Sequence, residues 1–123
     1  MLFGSFIMSD SVLRNKSKEF AKSIVFLCRT LKNNGVESAL INQLLRSGTS
    51  VGANVHEAQY AQGTKDFISK FEIALNECNE SEYWLELLYE TNSISDVEFK
   101  SFQKECIDLR RMLVSSVTTL KNK

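Results

Sequence analysis

The chain has 123 residues with fifteen basic and fifteen acidic side chains, a formal charge of zero, and a hydrophobic fraction of 43%. That length fits one domain, the apolar content is too high for a disordered chain, and the neutral total does not indicate a strongly basic nucleic-acid protein. No stretch approaches the roughly 18 consecutive apolar residues of a membrane span, and there is no proline to interrupt a long helix.

Residues 1–8 read MLFGSFIM. This start is apolar but has no basic n-region, no long h-region and no small-residue cleavage site, so it is a poor signal peptide. Met8 offers an alternative start, and residues 1–10 are expected to be flexible or leader-like. The remainder, 11–123, is expected to form one cytoplasmic domain.

Four segments then show helical period, at about 11–33, 37–62, 64–91 and 95–121. In the first, Leu13, Phe20, Ile24, Leu27 and Leu31 recur at sums of three and four, which stacks them on one face. Asn33-Asn34-Gly35 ends it, with Gly35 suited to a left-handed C′ position. In the second, Leu40, Leu44, Ser47, Val51, Asn54, Ala58 and Ala61 alternate four and three. Gly63 closes that segment and Thr64 is a reasonable N-cap for the next. The third carries a seam of Ile68, Phe71, Leu75, Cys78, Glu82, Leu85 and Tyr89, widened by Phe67, Ala74, Trp84 and Leu88. The fourth opens on Ser95-Asp96-Val97-Glu98, a capping box, and continues through Phe99, Phe102, Cys106, Leu109, Leu113, Ser116 and Leu120. Spacings near 3.5 residues and short connections predict an all-α fold, an antiparallel up-down-up-down four-helix bundle.

The second segment departs from an ordinary core helix. Arg46-Ser47-Gly48-Thr49-Ser50-Val51-Gly52-Ala53-Asn54 is rich in small residues, and each interior glycine costs about 1 kcal/mol relative to alanine. Close approach of a neighbouring helix at Gly48, Gly52 and Ala53 would offset that cost, and rings such as Phe71 or Trp84 would fill the groove otherwise. A phosphate-cradling loop is excluded by pattern, because no G-x-x-x-x-G-K-[ST] is present. Arg46, His56 and Glu57 are expected to be partly buried, with a buried Arg–Glu pair between helices.

Catalytic and metal chemistry finds little support. His56 is the only histidine, no Glu-x-x-His motif occurs, and Arg46 and His56 stand ten apart rather than at a nuclease spacing. Cys28, Cys78 and Cys106 are scattered through apolar patterns without a C-x-x-C pair, so they read as buried free thiols. The expectation is a protein that is no enzyme, with no cofactor and no metal.

Charge is unevenly distributed. Residues 14–32 hold Arg14, Lys16, Lys18, Lys22, Arg29 and Lys32 against Glu19 alone, and Arg14, Lys18, Lys22 and Arg29 fall on one stripe. The third segment is acidic, with Asp66, Glu72, Glu77, Glu80, Glu82, Glu86 and Glu90 against Lys65 and Lys70. The fourth is again basic at Lys100, Lys104, Arg110 and Arg111. Three readings stand open: intrachain ion pairs on solvated faces, a basic face meeting an acidic face of another subunit, and a basic rim on phosphates. Arg14, Lys18, Lys22, Arg29, Lys104 and Arg111 are the candidate nucleic-acid or subunit contacts.

The run Gln43-Leu44-Leu45-Arg46-Ser47-Gly48-Thr49-Ser50-Val51-Gly52-Ala53-Asn54-Val55, followed by Glu57-Ala58, resembles the signature of the family called "four helix bundle protein". Its members were first noticed in intervening sequences of bacterial 23S rRNA genes. The similarity continues through Lys65-Asp66-Phe67-Ile68, Lys70, Ile73-Ala74, Glu77 and Tyr83-Trp84-Leu85-Glu86-Leu87-Leu88, and begins at Val12-Leu13-Arg14-Asn15-Lys16-Ser17. It spans about 11–120. Arg46, Ser47, Gly48, Gly52, Ala53, Asn54 and Glu57 then stand as a structural signature. The resemblance implies an up-down bundle assembled into a ring-shaped homopentamer, with no catalytic residues. A related branch, the accessory variability protein of diversity-generating retroelements, binds nucleic acid and a reverse transcriptase through basic surface; that branch is strongly basic, whereas this chain is neutral. The expected function is a non-enzymatic oligomeric scaffold that contacts RNA or an RNA-processing protein through a basic face, the alternative being a helical adaptor that binds protein only.

Overall fold

A computed structural model of the chain describes residues 7–123, with side chains from residue 11 onward. It contains four helices: α1 (Ile7–Asn33), α2 (Ser38–Ala58), α3 (Thr64–Glu90) and α4 (Asp96–Lys121), and no strand among the described residues. The chain is an all-α four-helix bundle, as the periodicity predicts. The expected leader-like start lies outside the described residues for 1–6, whereas 7–10 already belong to α1.

α1 buries Leu13, Phe20, Ile24, Leu27 and Leu31, the five positions the spacing selects. It ends as the glycine predicts. Gly35 sits at φ 76°, the Gly35 N–H donates to Lys32 O at 3.1 Å, and the Val36 N–H donates to Leu31 O at 3.1 Å. These two bonds form a Schellman motif and satisfy carbonyls that the helix end leaves open. α3 ends the same way with an asparagine in the glycine's place. Asn92 has φ 62°, and Asn92 N–H and Ser93 N–H donate to Tyr89 O and Leu88 O at 3.0 and 2.8 Å.

α2 stops at Ala58, four residues short of the expected boundary. The N–H groups of Gln59, Tyr60 and Ala61 bond three residues back, to His56, Glu57 and Ala58 at 3.0–3.1 Å. The helix thus tightens into 3₁₀-type turns, which keep Ala61 against the core while the chain reverses. Gly63, not Thr64, is the N-cap of α3, and Thr64 is its first residue with no side-chain cap. The Ser95–Glu98 capping box forms in both directions, at 3.1 and 3.0 Å.

The buried seam of α3 also corrects the expectation. Phe67, Phe71, Ala74, Cys78, Ser81, Leu85 and Leu88 are buried, while Ile68, Leu75, Glu82 and Tyr89 flank them half-buried. Ser81 occupies a core position because its hydroxyl donates to Glu77 O at 2.8 Å and lies 2.9 Å from the Ser47 hydroxyl. A buried hydroxyl is tolerated when it is bonded.

Sequential helices pack side by side, and α4 closes back on α1 much more loosely. The bundle therefore has three tight seams and one slack one. Cys28, Cys78 and Cys106 are buried and unpaired with one another as disulfides. Burial pushes the Cys28 thiol up to about 11, which keeps it protonated.

Candidate functional site

The two glycines of α2 meet α1. A β-carbon at Gly48 would sit 2.8 Å from Ile24 Cγ2, and one at Gly52 would sit 3.1 Å from the Ser17 carbonyl oxygen. So Gly52 admits the α1 backbone itself, and Gly48 admits a buried side chain. Phe71 and Trp84 do not fill this space. Ser17, opposite Gly52, is fully buried and returns its hydroxyl to Arg14 O at 3.1 Å.

On the solvent side of that contact the small residues leave an open groove of about 610 Å³. α1 contributes Ser11, Arg14, Asn15, Lys18 and Ala21; α2 contributes Thr49, Gly52, Ala53 and His56. Among the described residues no carboxylate lines this groove. Arg14 donates to the Ser11 hydroxyl at 3.3 Å, and neither Arg14 nor Lys18 is in an ion pair among the described residues. His56 carries its ring 5.5 Å from that of Tyr60, which is 71% exposed. Ala53 is exposed and forms groove surface instead of packing surface, contrary to expectation.

The opposite flank of α2 is built differently. Arg46 donates to Glu77 Oε2 at 2.9 Å and also bonds Glu80, and the Trp84 indole donates to Glu80 Oε2 at 3.0 Å. The indole and the guanidinium both hold the Glu80 carboxyl below its ordinary value. The expected Arg–Glu pair between helices exists, but it is not buried: the Arg46 side chain is 47% exposed. Glu57 and His56 are exposed as well, not partly buried. Between α4 and α3, Arg110 binds Glu82 Oε1 at 2.8 Å, and Lys121 binds Glu72 at 2.9 Å. Four of the α3 carboxylates, Glu72, Glu77, Glu80 and Glu82, are thus neutralised within the chain.

Comparison with known proteins settles the family. The model of the 23S rRNA-intervening sequence protein family matches residues 9–115. The chain belongs to that family. A crystal structure of a protein of unknown function from the S23 ribosomal protein family of Bacteroides thetaiotaomicron is 44% identical; the match covers 89% of this chain and 98% of that one, with a TM-score of 0.87. No curated protein matches.

The six predicted contact residues do not form one surface. Arg14 and Lys18 share the α1–α2 groove. Lys22 is exposed and paired with Glu19 at 3.0 Å, and the Arg29 guanidinium stands 5.7 Å from the exposed Phe26 ring. Lys104 and Arg111 are exposed on α4, which packs on α3 and α1 but not on α2, so they lie away from this groove. Of the signature residues, Ser47, Gly48 and Gly52 serve packing, and Asn54 donates to Ser50 O at 2.9 Å. Sequence reasoning did not select Tyr60 or Thr49; the signal for Tyr60 was its place four residues after His56. Among the described residues no group of three or more His, Cys, Asp or Glu is placed to hold a metal ion, and no helix is long and apolar enough to cross a membrane.

Proposed function

We propose that this family member is a non-enzymatic, oligomeric bundle that contacts RNA through the basic side of α1. One observation carries the reading: the cations of the α1–α2 groove have no carboxylate partner among the described residues, while Arg46, Arg110, Lys100 and Lys121 each have one. A cation held by a carboxylate is largely spent, whereas an unpaired one adds a phosphate contact and releases a counterion. The family's tie to 23S rRNA intervening sequences makes RNA the polyanion of choice. The proposed assembly is the homopentameric ring that the family resemblance implies. Because four of the seven α3 carboxylates are engaged within the chain, a ring held by pairing α1 cations to α3 carboxylates would have to rest on Asp66, Glu86 and Glu90.

The test is a gel shift on an RNA carrying a 23S intervening-sequence stem, at graded salt. The wild type should bind with an affinity that falls steeply with salt. Combined Arg14→Glu, Lys18→Glu, Lys22→Glu and Arg29→Glu should abolish the shift, and Lys100→Glu with Lys121→Glu should preserve it. Absence of wild-type binding at low salt, with a protein partner that survives nuclease treatment, would replace this reading with the protein-only adaptor. Light scattering should report about five times the 14.0 kDa chain mass; a monomer at high concentration removes the ring.

A further inference from the structure

The α1–α2 groove does not end at its cations. His56 lines it, and Tyr60 follows four residues later in the tightened turns after α2, its ring against that of His56. The two rings are 5.5 Å apart and tilted by 58°. Tyr60 is 71% exposed, and His56 is its only ring neighbour among the described residues. An exposed pair of aromatic rings, one of them lining a groove whose two cations have no carboxylate partner among the described residues, is an arrangement that accepts an unstacked base next to its phosphates. The groove volume of about 610 Å³ lies within the range of small-molecule sites, roughly 300–1,000 Å³.

Resting on the RNA reading above, we infer that this groove selects single-stranded RNA: a base stacks on Tyr60 beside His56, while Arg14 and Lys18 hold the flanking phosphates. A duplex keeps its bases stacked on one another and offers only its backbone, so it engages the cations alone. Gly52 and Ala53 form a floor without bulky side chains, which lets the strand lie close to α2. Thr49 and Asn15 add hydrogen-bonding groups along the wall.

Fluorescence anisotropy at one fixed salt concentration separates these modes. The probes are a labelled single-stranded adenosine-rich RNA ten-mer, a hairpin duplex with the same number of phosphates, and adenosine monophosphate as a competitor. The wild-type chain should bind the single strand at least about tenfold more tightly than the duplex, the worth of one base stacked on an aromatic ring. Tyr60→Ala should erase that preference and leave duplex affinity unchanged. Tyr60→Phe should retain it, because stacking needs the ring and not the hydroxyl. Arg14→Glu should weaken both probes. Thermal melting of each variant verifies folding, and the exposure of Tyr60 makes a folding defect unexpected. Equal wild-type affinity for the two RNAs, or a preference that survives Tyr60→Ala, overturns the inference while leaving RNA contact through α1 intact. Failure to bind either RNA at low salt overturns both. Displacement of the ten-mer by the monophosphate at comparable concentration would make the ligand a free nucleotide and overturn the assignment to RNA.

Discussion

The two flanks of α2 use opposite means to hold a neighbouring helix. Toward α1 it presents Gly48 and Gly52, brings backbone within reach of backbone, and leaves an open groove whose cations have no carboxylate partner among the described residues. Toward α3 it presents Arg46 and Ser47, and every strong polar group there has a partner: Glu77, Glu80 and the Ser81 hydroxyl. One flank is joined by shape and the other by satisfied polar groups. Of the two, only the first carries cations without a carboxylate partner among the described residues, which is why the proposed contact surface is placed there.

The largest effect that would break this contrast is at Gly52. A valine there forces its branched side chain toward the Ser17 carbonyl, and overpacking of this kind costs about 1–3 kcal/mol. Chemical denaturation of Gly52→Val should show that loss, together with weaker RNA binding, since the groove floor is raised. Unchanged stability would mean that α1 and α2 do not depend on close approach. On the other flank, Ser81→Ala removes the hydroxyl that bridges to Ser47, at a cost of about 1 kcal/mol. The Ser47 hydroxyl keeps Leu44 O at 3.4 Å, and the Ser47→Ala/Ser81→Ala double variant should recover part of the loss. RNA binding should be untouched. If it falls as it does for Gly52→Val, the two flanks are not functionally distinct.

The smallest effect sharpens the comparison on the far side of α1. There Lys16 and Glu19 face Glu105 and Asp108 of α4 across the slack seam, so α1 has a cationic groove on one side and a carboxylate-rich one on the other. Burial raises the pKa of Glu105 above its ordinary value, with Lys16 opposing and Asp108 adding to the rise. The folded state therefore binds this proton more tightly than the unfolded state, and stability falls as pH rises through the raised value. Glu105→Gln removes that cost. Glu105 is only half-buried and solvent screens its charge, so the variant should raise stability at pH 7 slightly, and the gain should vanish once the pH drops below the ordinary glutamate range. A gain independent of pH would remove ionisation as its cause.

Much of the fold was legible because period and punctuation are local. The α1 core, the Gly35 stop and the Ser95–Glu98 box each depend on residues within a turn or two of one another. The α3 seam was displaced because Ser81 is polar by composition and buried only through Ser47, thirty-four residues away. Arg46 and Glu57 were expected half-buried for a similar reason: sequence identifies a charge that wants a partner, not the depth at which it finds one. The groove was half visible. Arg14 and Lys18 stood out as a stripe, but Lys22, Arg29, Lys104 and Arg111 stood out equally.

By itself, the sequence determined four amphipathic helices, where each begins and ends to within a few residues, and that α2 must be approached closely. Those follow from spacing, capping chemistry and the cost of interior glycine. Which helix makes that approach, which carboxylates are consumed inside the chain, and which cations share an open groove with His56 were decided only by tertiary structure. Pairing between distant residues sets all three, and a single chain read in order contains no distances.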